Sequence, residues 1–552
     1  MTTIPRPSHA PGENGRDPSR DGLRNRVEAH VLTHYAPLWR AVQGNRWLHR
    51  KTNTLLTDIA VMKAPPRPNP LSTMAPYTSW PSLTDRSYVG RHLPPDTAPH
   101  PGRPAPERAA ELFRREGTGQ TCPRSTALLP AFAQWFTDGF LRGHGWGGDP
   151  RRTDSPHTID LMQLYGAGEE VTACLREFEG GRLKSRTVGG GEFPPLLCDQ
   201  GRIKAEFERL KPVRWEEVPE HLRDTVFATG GDRAHAHIGP MLVNVLFLRE
   251  HNRIAGVLSR AYPAWDDERV FQTTRNILVV MTIRLVLEEY INHLTPFHFR
   301  FILDPMRTVR SSWYRENWST IEFSLVYRWH SLIPSAYRIG GRDVPLLHTL
   351  ANGRIIEERG MGPLFDDLSR QPAGRVGMFN TDPLLLQIEA RSVEVGRELQ
   401  VASYNDYREH FGFPRATDLR QVSGDPVVRE ALHDLYGGVD ELDLYVGLFA
   451  EDARHGSLFG NLLGRIIGVD AFSEALTNPL LSPRLFTPAT FSAEGLDILR
   501  RTRSLSDVVH RNLPEDDGRY LVSLGMKHAP RNGAAEDGAR TAARPRRVRV
   551  AG

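Results

Sequence analysis

The stretch IEFSLVYRWHSLIP, Ile321 to Pro334, decides how the rest of the chain is read. Its apolar spacing predicts a helix over 321–330, and Pro334, which has no N–H to continue a helix, helps to stop it. On such a helix Tyr327 and His330 lie three residues apart, on one face and one turn from each other. An imidazole one turn from a redox-capable phenol is what a haem enzyme needs to move an oxidising equivalent from iron to a protein radical. The same spacing also fits a hydrogen-bonded tyrosine and histidine in an ordinary core. The surrounding sequence has to separate the two.

Outward from this segment, helical periodicity dominates at 126–142, 241–260, 265–296, 388–400 and 428–449. The fold class expected is mainly α-helical. The chain has 552 residues, 39% hydrophobic and 25% charged, an ordinary balance with ample material for a large core. Lys and Arg number 70 against 66 for Asp and Glu, leaving a charge of +4, which gives no reason to expect a nucleic-acid partner. Cys122, Cys174 and Cys198 fit neither a disulfide scaffold nor a metal ribbon. No internal repeat, Rossmann glycine pattern or phosphate loop is found.

Composition divides the chain. Residues 1–22 are rich in Pro, Gly, Arg and Asp and are expected to form a disordered leader without the apolar core of a signal peptide. Residues 23–64 read as an amphipathic helical segment suited to membrane-surface contact, or to packing on the remainder of the protein. Residues 65–110 follow as a wrapping loop, with 12 prolines between 65 and 106. Residues 111–530 form the expected main domain. Residues 531–552, with six Arg against one Glu and one Asp, form a disordered basic tail. The most apolar stretches, Met241–Leu248 and Ile277–Leu287, are too short or too interrupted to cross a bilayer. The expected location is cytoplasmic, with any membrane contact peripheral.

The segment 321–334 resembles the proximal haem helix of the animal-type haem peroxidase superfamily, in particular its cyclooxygenase branch, which has a near-identical Tyr-x-Trp-His followed by Leu-x-Pro. Segments HTIDLMQLYG (157–166), LFLREHNRIAGVLSRAYPAWDDERVFQTTR (246–275), EEYINHLTPFHFRFILDP (288–305), SRQPAGRV (369–376) and SYNDYREHFGF (403–413) resemble that branch in the same order. The chain is therefore similar to a prostaglandin G/H synthase-like enzyme, of a bacterial type without the epidermal-growth-factor-like module. The resemblance implies a haem peroxidase-like fold and haem b as cofactor. His330 would be the proximal iron ligand and Tyr327 the residue oxidised to a radical. Phe323, Val326 and Trp329 would line a fatty-acyl channel beside it, with Phe136 and Phe140 on a neighbouring helix. GVDAFSEALTNPLLSP (468–483) resembles the branch's channel segment, placing Phe472, Ser473 and Leu476 in the same lining.

AFAQWFTDGF (131–140) resembles the family's distal helix. Gln134 matches the distal glutamine, but Asp138 stands where the family has the histidine that moves a peroxide proton. Three readings of Asp138 stay open: a replacement acid/base, part of an altered oxygen-binding pocket, or a slip in register. His144 is the nearest histidine downstream and is poorly placed for the same face. The family's carboxylate-binding arginine falls near Asp58, with Arg50, Lys51 and Lys63 as the nearby cations. REHNR (249–253) is read as structural.

The function implied is a haem-dependent dioxygenase that converts an unsaturated fatty acid and O2 to a hydroperoxide through a tyrosyl radical, after activation by a trace of hydroperoxide. The alternatives are a haem peroxidase or oxygenase of a specialised small metabolite, and a haem-binding protein with little turnover. Sequence alone leaves the oligomeric state open.

Overall fold

The computed structural model describes residues 27–63, 71–72, 85–115, 117–142, 149–210, 212, 215–231, 233–314, 318–454, 456–513 and 518–526. The leader 1–22, the tail 531–552 and His144 lie outside the described residues. The fold is mainly α-helical and is organised around the helix Ile238–Ala261. Its first eleven residues are apolar apart from Asn244, and such a helix is stable only when enclosed. Every residue from Ile238 to Asn252 is buried. Trp135 donates its indole N–H to Asn244 Oδ1 at 3.1 Å, satisfying the one polar side chain in that run and tying in the helix Leu128–Thr137. Gly239 permits this approach, because a Cβ there would lie 2.5 Å from that of Ala131.

On another side packs the helix Asp267–Leu285, started by Asp266, whose carboxylate accepts from Arg269 N at 2.8 Å. It runs into a π turn, Val286–Ile291, and then Asn292–Leu294. By length and composition the run Asp267–Leu294 could cross a membrane, but 83% of its most apolar window is buried inside the protein, so it serves as a core helix. The helix Pro488–Arg501 covers its outer side. Each sheet among the described residues has two strands. Thr121–Thr126 pairs antiparallel with Pro372–Gly374, Gly374 opposite Thr121.

Two expected helices end early. The predicted helix over 321–330 covers only Ile321–Val326, with Thr320 capping Phe323 N at 3.0 Å. The Trp329 indole N–H donates to Val326 O, the acceptor that the amide of His330 would need in a continuing helix. Tyr327 is thus the helix cap, and His330 opens a separate 3-10 turn, His330–Leu332, rather than sharing a helical face with it. The expected helix 428–449 is two helices, Pro426–Tyr436 and Leu444–Ala450, parted at Gly437, whose φ of 67° is left-handed.

At the N-terminal side, residues 27–34, Ala36–Gly44 and Arg46–Val61 are helical. They are fixed to the segment 298–304 by Asn53, which exchanges bonds with Ile302, and by the Arg50–Asp304 ion pair. From the Pro-rich segment, Arg91 reaches inward to the carbonyls of Leu399 and Gln400, and the last residues turn helical at Pro106–Ala110.

Candidate functional site

The turn carrying His330 is clamped from behind. Arg115 donates to the carbonyls of Ile333 at 2.8 Å and Asn380 at 2.9 Å. Gly374 passes so near that a Cβ would lie 2.0 Å from Ser331 O. His330 keeps a side-chain exposure of 17% beside buried neighbours, and its Nε2 makes no hydrogen bond among the described residues. Its Nδ1 lies 3.2 Å from Glu389 Oε2. Glu389 is fully buried on the helix Leu386–Glu398, where Thr381 donates to Oε1 at 2.7 Å and the Tyr445 hydroxyl donates to Oε2.

Tyr327 sits in an aromatic box. Its ring stacks on Trp329 at 4.8 Å and meets the edge of Phe323 at 5.0 Å, while Trp329 packs on Phe459. Tyr290, presented by the π turn, stacks on Trp329 at 6.4 Å. The two hydroxyls each influence the other's acidity without forming an aligned hydrogen bond. Burial pushes both phenols well above their ordinary range, and the Asp470 carboxylate adds to the effect on Tyr327. Both are neutral phenols at any working pH.

The helix Leu128–Thr137 meets this box through Phe136, 6.3 Å from Tyr290, and Phe140, just beyond the helix, 6.1 Å from Phe323. Gln134 and Thr137, three apart, are its two positions that are not buried, so they share one partly exposed face. Gln134 Oε1 lies 2.9 Å from Nε2 of His237, the residue that caps the central helix. Asp138 ends the Leu128–Thr137 helix beside Arg142 at 3.2 Å, with Arg233 at 4.0 Å. Arg233 also acts electrostatically on Arg328, next to Tyr327.

With that geometry in view, comparisons place the chain. The animal haem peroxidase family matches residues 151–521. The chain belongs to the animal haem peroxidase family. It is similar to prostaglandin G/H synthase 2 of Equus caballus, 31% identical over 88% of this chain and 80% of the relative. It is similar also to prostaglandin G/H synthase 1 of Rattus norvegicus, 32% identical over 89% of this chain and 84% of that one. Among solved structures, fatty acid alpha-dioxygenase of Oryza sativa matches with a TM-score of 0.67 at 16% identity, covering 93% and 99% of the two chains. Peroxidase A of Dictyostelium discoideum matches at 0.64 and 18%, covering 80% and 95%. These structural matches bear out the mainly helical haem peroxidase fold.

The residues of this chain fit the family's cofactor. A histidine Nε2 without a hydrogen-bond partner among the described residues, aromatic walls, and a helix face left partly exposed at Gln134 and Thr137 suit an iron porphyrin better than a packed core. Helix Asn461–Leu476, which carries Phe472, Ser473 and Leu476, packs against Ile321–Val326, which carries Phe323 and Val326. Phe472 packs on Phe301 at 4.8 Å, and the Ser473 hydroxyl donates to Asp470 O at 3.0 Å. Leu476 O accepts from Thr308. Asp470 is itself buried between His92 at 2.8 Å and Thr320 at 3.0 Å.

The REHNR run is structural here. Burial opposes the charge of Glu250, but bonds from Arg253 and Arg511 outweigh it and hold the carboxyl below its ordinary range. Asp58 accepts from Ser311 at 2.7 Å and Trp313 at 2.8 Å, and Arg50 is occupied by Asp304.

Three residues escaped the sequence reading: Tyr290, His237 and Glu389. Tyr290 lay inside EEYINHL, visible only as part of a matching segment. Glu389 had a signal, because Leu386, Glu389 and Val393 form the buried stripe of their helix and a carboxylate on such a stripe needs a partner. His237, a helix cap preceding an apolar run, had none that separates it from other caps.

Proposed function

We propose that this member of the animal haem peroxidase family is a fatty-acid dioxygenase whose Tyr327, as a phenoxyl radical, takes hydrogen from an unsaturated acyl chain to yield a fatty-acid hydroperoxide. The observation that carries this reading is the setting of Tyr327: a buried phenol with no aligned hydrogen bond, boxed by Phe323 and Trp329 and three residues from His330. The identity to the prostaglandin G/H synthases over most of both chains supports it.

His330 would hold the iron through Nε2, and Gln134 and Thr137 would face the far side of the porphyrin. Bound haem b, primed by a trace of hydroperoxide, supplies the one-electron oxidation of Tyr327. Because burial makes phenolate formation costly, Tyr327 stays a neutral phenol until it is oxidised. The phenoxyl oxygen then takes a hydrogen atom from an activated C–H and returns to a phenol. O2 adds to the carbon radical, and the peroxyl radical takes the hydrogen back from Tyr327, which releases hydroperoxide and restores the phenoxyl. The aromatic box holds one C–H against the phenol oxygen and excludes water. Substrate reaches the site without a carboxylate anchor from Arg50, since Asp304 already holds that guanidinium.

The helices over 27–62 leave Val27, Tyr35, Leu38, Trp47, Leu48, Leu55 and Met62 exposed, half of the exposed large apolar side chains among the described residues, and this is the face that would rest on a membrane. A second reading, oxidation of a specialised small metabolite, is favoured by one observation: Asp138 is engaged with Arg142 where the family places its proton-transferring histidine.

The test is O2 uptake by haem-loaded protein across unsaturated fatty acids, with mass spectrometry of the product. Tyr327→Phe is expected to lower uptake by at least about a thousandfold, roughly 4 kcal/mol in barrier, while haem content is kept. Full turnover in that variant refutes the radical role. Turnover of aromatic donors without turnover of lipids selects the second reading.

A further inference from the structure

Glu389 has no part in the chemistry above, yet it is the acidic side chain nearest the free histidine. Its carboxylate lies 3.2 Å from His330 Nδ1 at 1% exposure. A buried carboxylate is costly unless each oxygen is occupied. Oε1 accepts from Thr381 at 2.7 Å, and Oε2 accepts from the Tyr445 hydroxyl, leaving the remaining side of Oε2 toward the imidazole. The approach is close but off the axis of an aligned hydrogen bond, as such contacts often are before the ligand binds. The carboxylate is rigidly placed. Leu386 and Val393 seat its helix, and the backbone of Thr381 is bridged to Arg114. Arg328, half-buried and bonded to Ser392 at 2.7 Å, is the cation that faces it.

We infer that Glu389 is a positioning residue that accepts the Nδ1–H of His330, fixes the ring with Nε2 toward the haem iron, and makes that nitrogen a stronger electron donor. The inference rests on the reading of His330 as the iron ligand. A metal-bound imidazole whose other N–H is given to a carboxylate is held in one tautomer and becomes more basic. More electron density at Nε2 favours the ferric over the ferrous state. Tyr445 works against this, because its hydroxyl donates to the same oxygen and draws density from it. The pair Glu389 and Tyr445 therefore sets the iron's reduction potential from two opposing directions.

The test uses full-length, haem-loaded protein and two readouts, the ferric/ferrous potential by spectroelectrochemistry and the iron–histidine stretching band of the ferrous form by resonance Raman. Glu389→Gln is expected to favour reduction at least tenfold, about 59 mV for one electron, and to lower the stretching frequency. Tyr445→Phe keeps the carboxylate and removes its competing donor, so both readouts move the opposite way. A purely structural role for the carboxylate would not give shifts of opposite sign. Unchanged potentials, or shifts in the same direction, overturn the inference while leaving His330 as ligand. His330→Ala separates the two: loss of the iron–histidine band keeps the ligand reading, and persistence of the band removes both it and the role given to Glu389.

Discussion

His237 gives its Nε2 proton to Gln134 Oε1 across 2.9 Å, and the rest of its surroundings dictate that direction. Gly239 N donates to Nδ1 at 3.1 Å, and the Tyr337 hydroxyl approaches the same nitrogen at 3.0 Å, so Nδ1 is the acceptor and Nε2 carries the hydrogen. Burial pushes the imidazole down to about 3, which keeps it neutral. The Gln134 amide is thereby oriented with its NH2 away from His237. His237→Leu is expected to weaken cyanide binding to the ferric protein about tenfold at unchanged haem content, the scale of one hydrogen bond to a charged group. Gln134→Leu should do the same, and the double variant should lose little more. Additive losses refute the coupling.

Tyr290 predicts a graded effect. Tyr290→Phe leaves the Tyr327 phenol in its aromatic box and removes the neighbouring hydroxyl. Activity should fall less than about tenfold, while the radical's electron paramagnetic resonance spectrum changes shape, because ring orientation and the local field both respond. An unaltered spectrum argues against contact between the two hydroxyls.

Asp138 and Arg142 are both largely buried, and removing either takes from the other its close opposite charge. Asp138→Ala should destabilise the protein by roughly 3 kcal/mol. A cycle with Arg142→Ala, measured by urea unfolding, should give a coupling of about 1.5 kcal/mol or more. Zero coupling would free Asp138 for proton transfer.

Acid should unfold the protein through its histidines. Burial lowers His157 and His235 to about 4 and His237 and His251 to about 3, with Arg86 adding to the effect on His157. Between those values and the ordinary 6.5 the unfolded chain binds protons that the native state refuses, so stability rises with pH there and is lost as pH falls. Burial raises Glu289 to about 7 and Asp160 to about 6, which acts in the opposite sense. Two groups against four leaves a net uptake of about two protons on unfolding near pH 5, each worth about 1.4 kcal/mol per pH unit. His235→Gln should remove about one proton from that slope, read from urea midpoints at pH 5 and 7.

Vesicle binding tests the exposed apolar helices. Replacing Trp47, Leu48 and Leu55 together by serine should cut co-sedimentation with phospholipid vesicles at least about tenfold, without loss of solution activity. Undiminished binding moves the contact elsewhere.

Periodicity and chemistry in the sequence carried different distances. The central helix was expected at 241–260 and runs over Ile238–Ala261, because an unbroken apolar face leaves few alternatives. The segment around Tyr327 was misjudged as one helix, since the break depends on where the Trp329 indole donates, a tertiary detail. The site divides the same way. Tyr327 and His330 are neighbours in the chain and could be singled out together. Gln134 and His237 are 103 residues apart, and only the packing of two helices brings them into contact. Glu389 stood in the sequence as one acidic residue among 66, distinguished by a buried stripe that becomes meaningful once its partner is known.

The π turn Val286–Ile291 makes the site respond unequally to changes in length. An α-helix advances roughly 100° per residue, and a π turn accommodates one extra residue within that phase. Residues before Val286 are aligned to the central helix, and Tyr290 is aligned to Tyr327. Deleting a single residue such as Leu287 would therefore be absorbed, the turn reverting to regular helix with the residues on either side still in phase. Substitutions along this helix test packing, whereas a one-residue insertion before Val286, with the slack already taken up, would act as a phase shift that uncouples the two tyrosines while leaving every side chain at the site chemically intact.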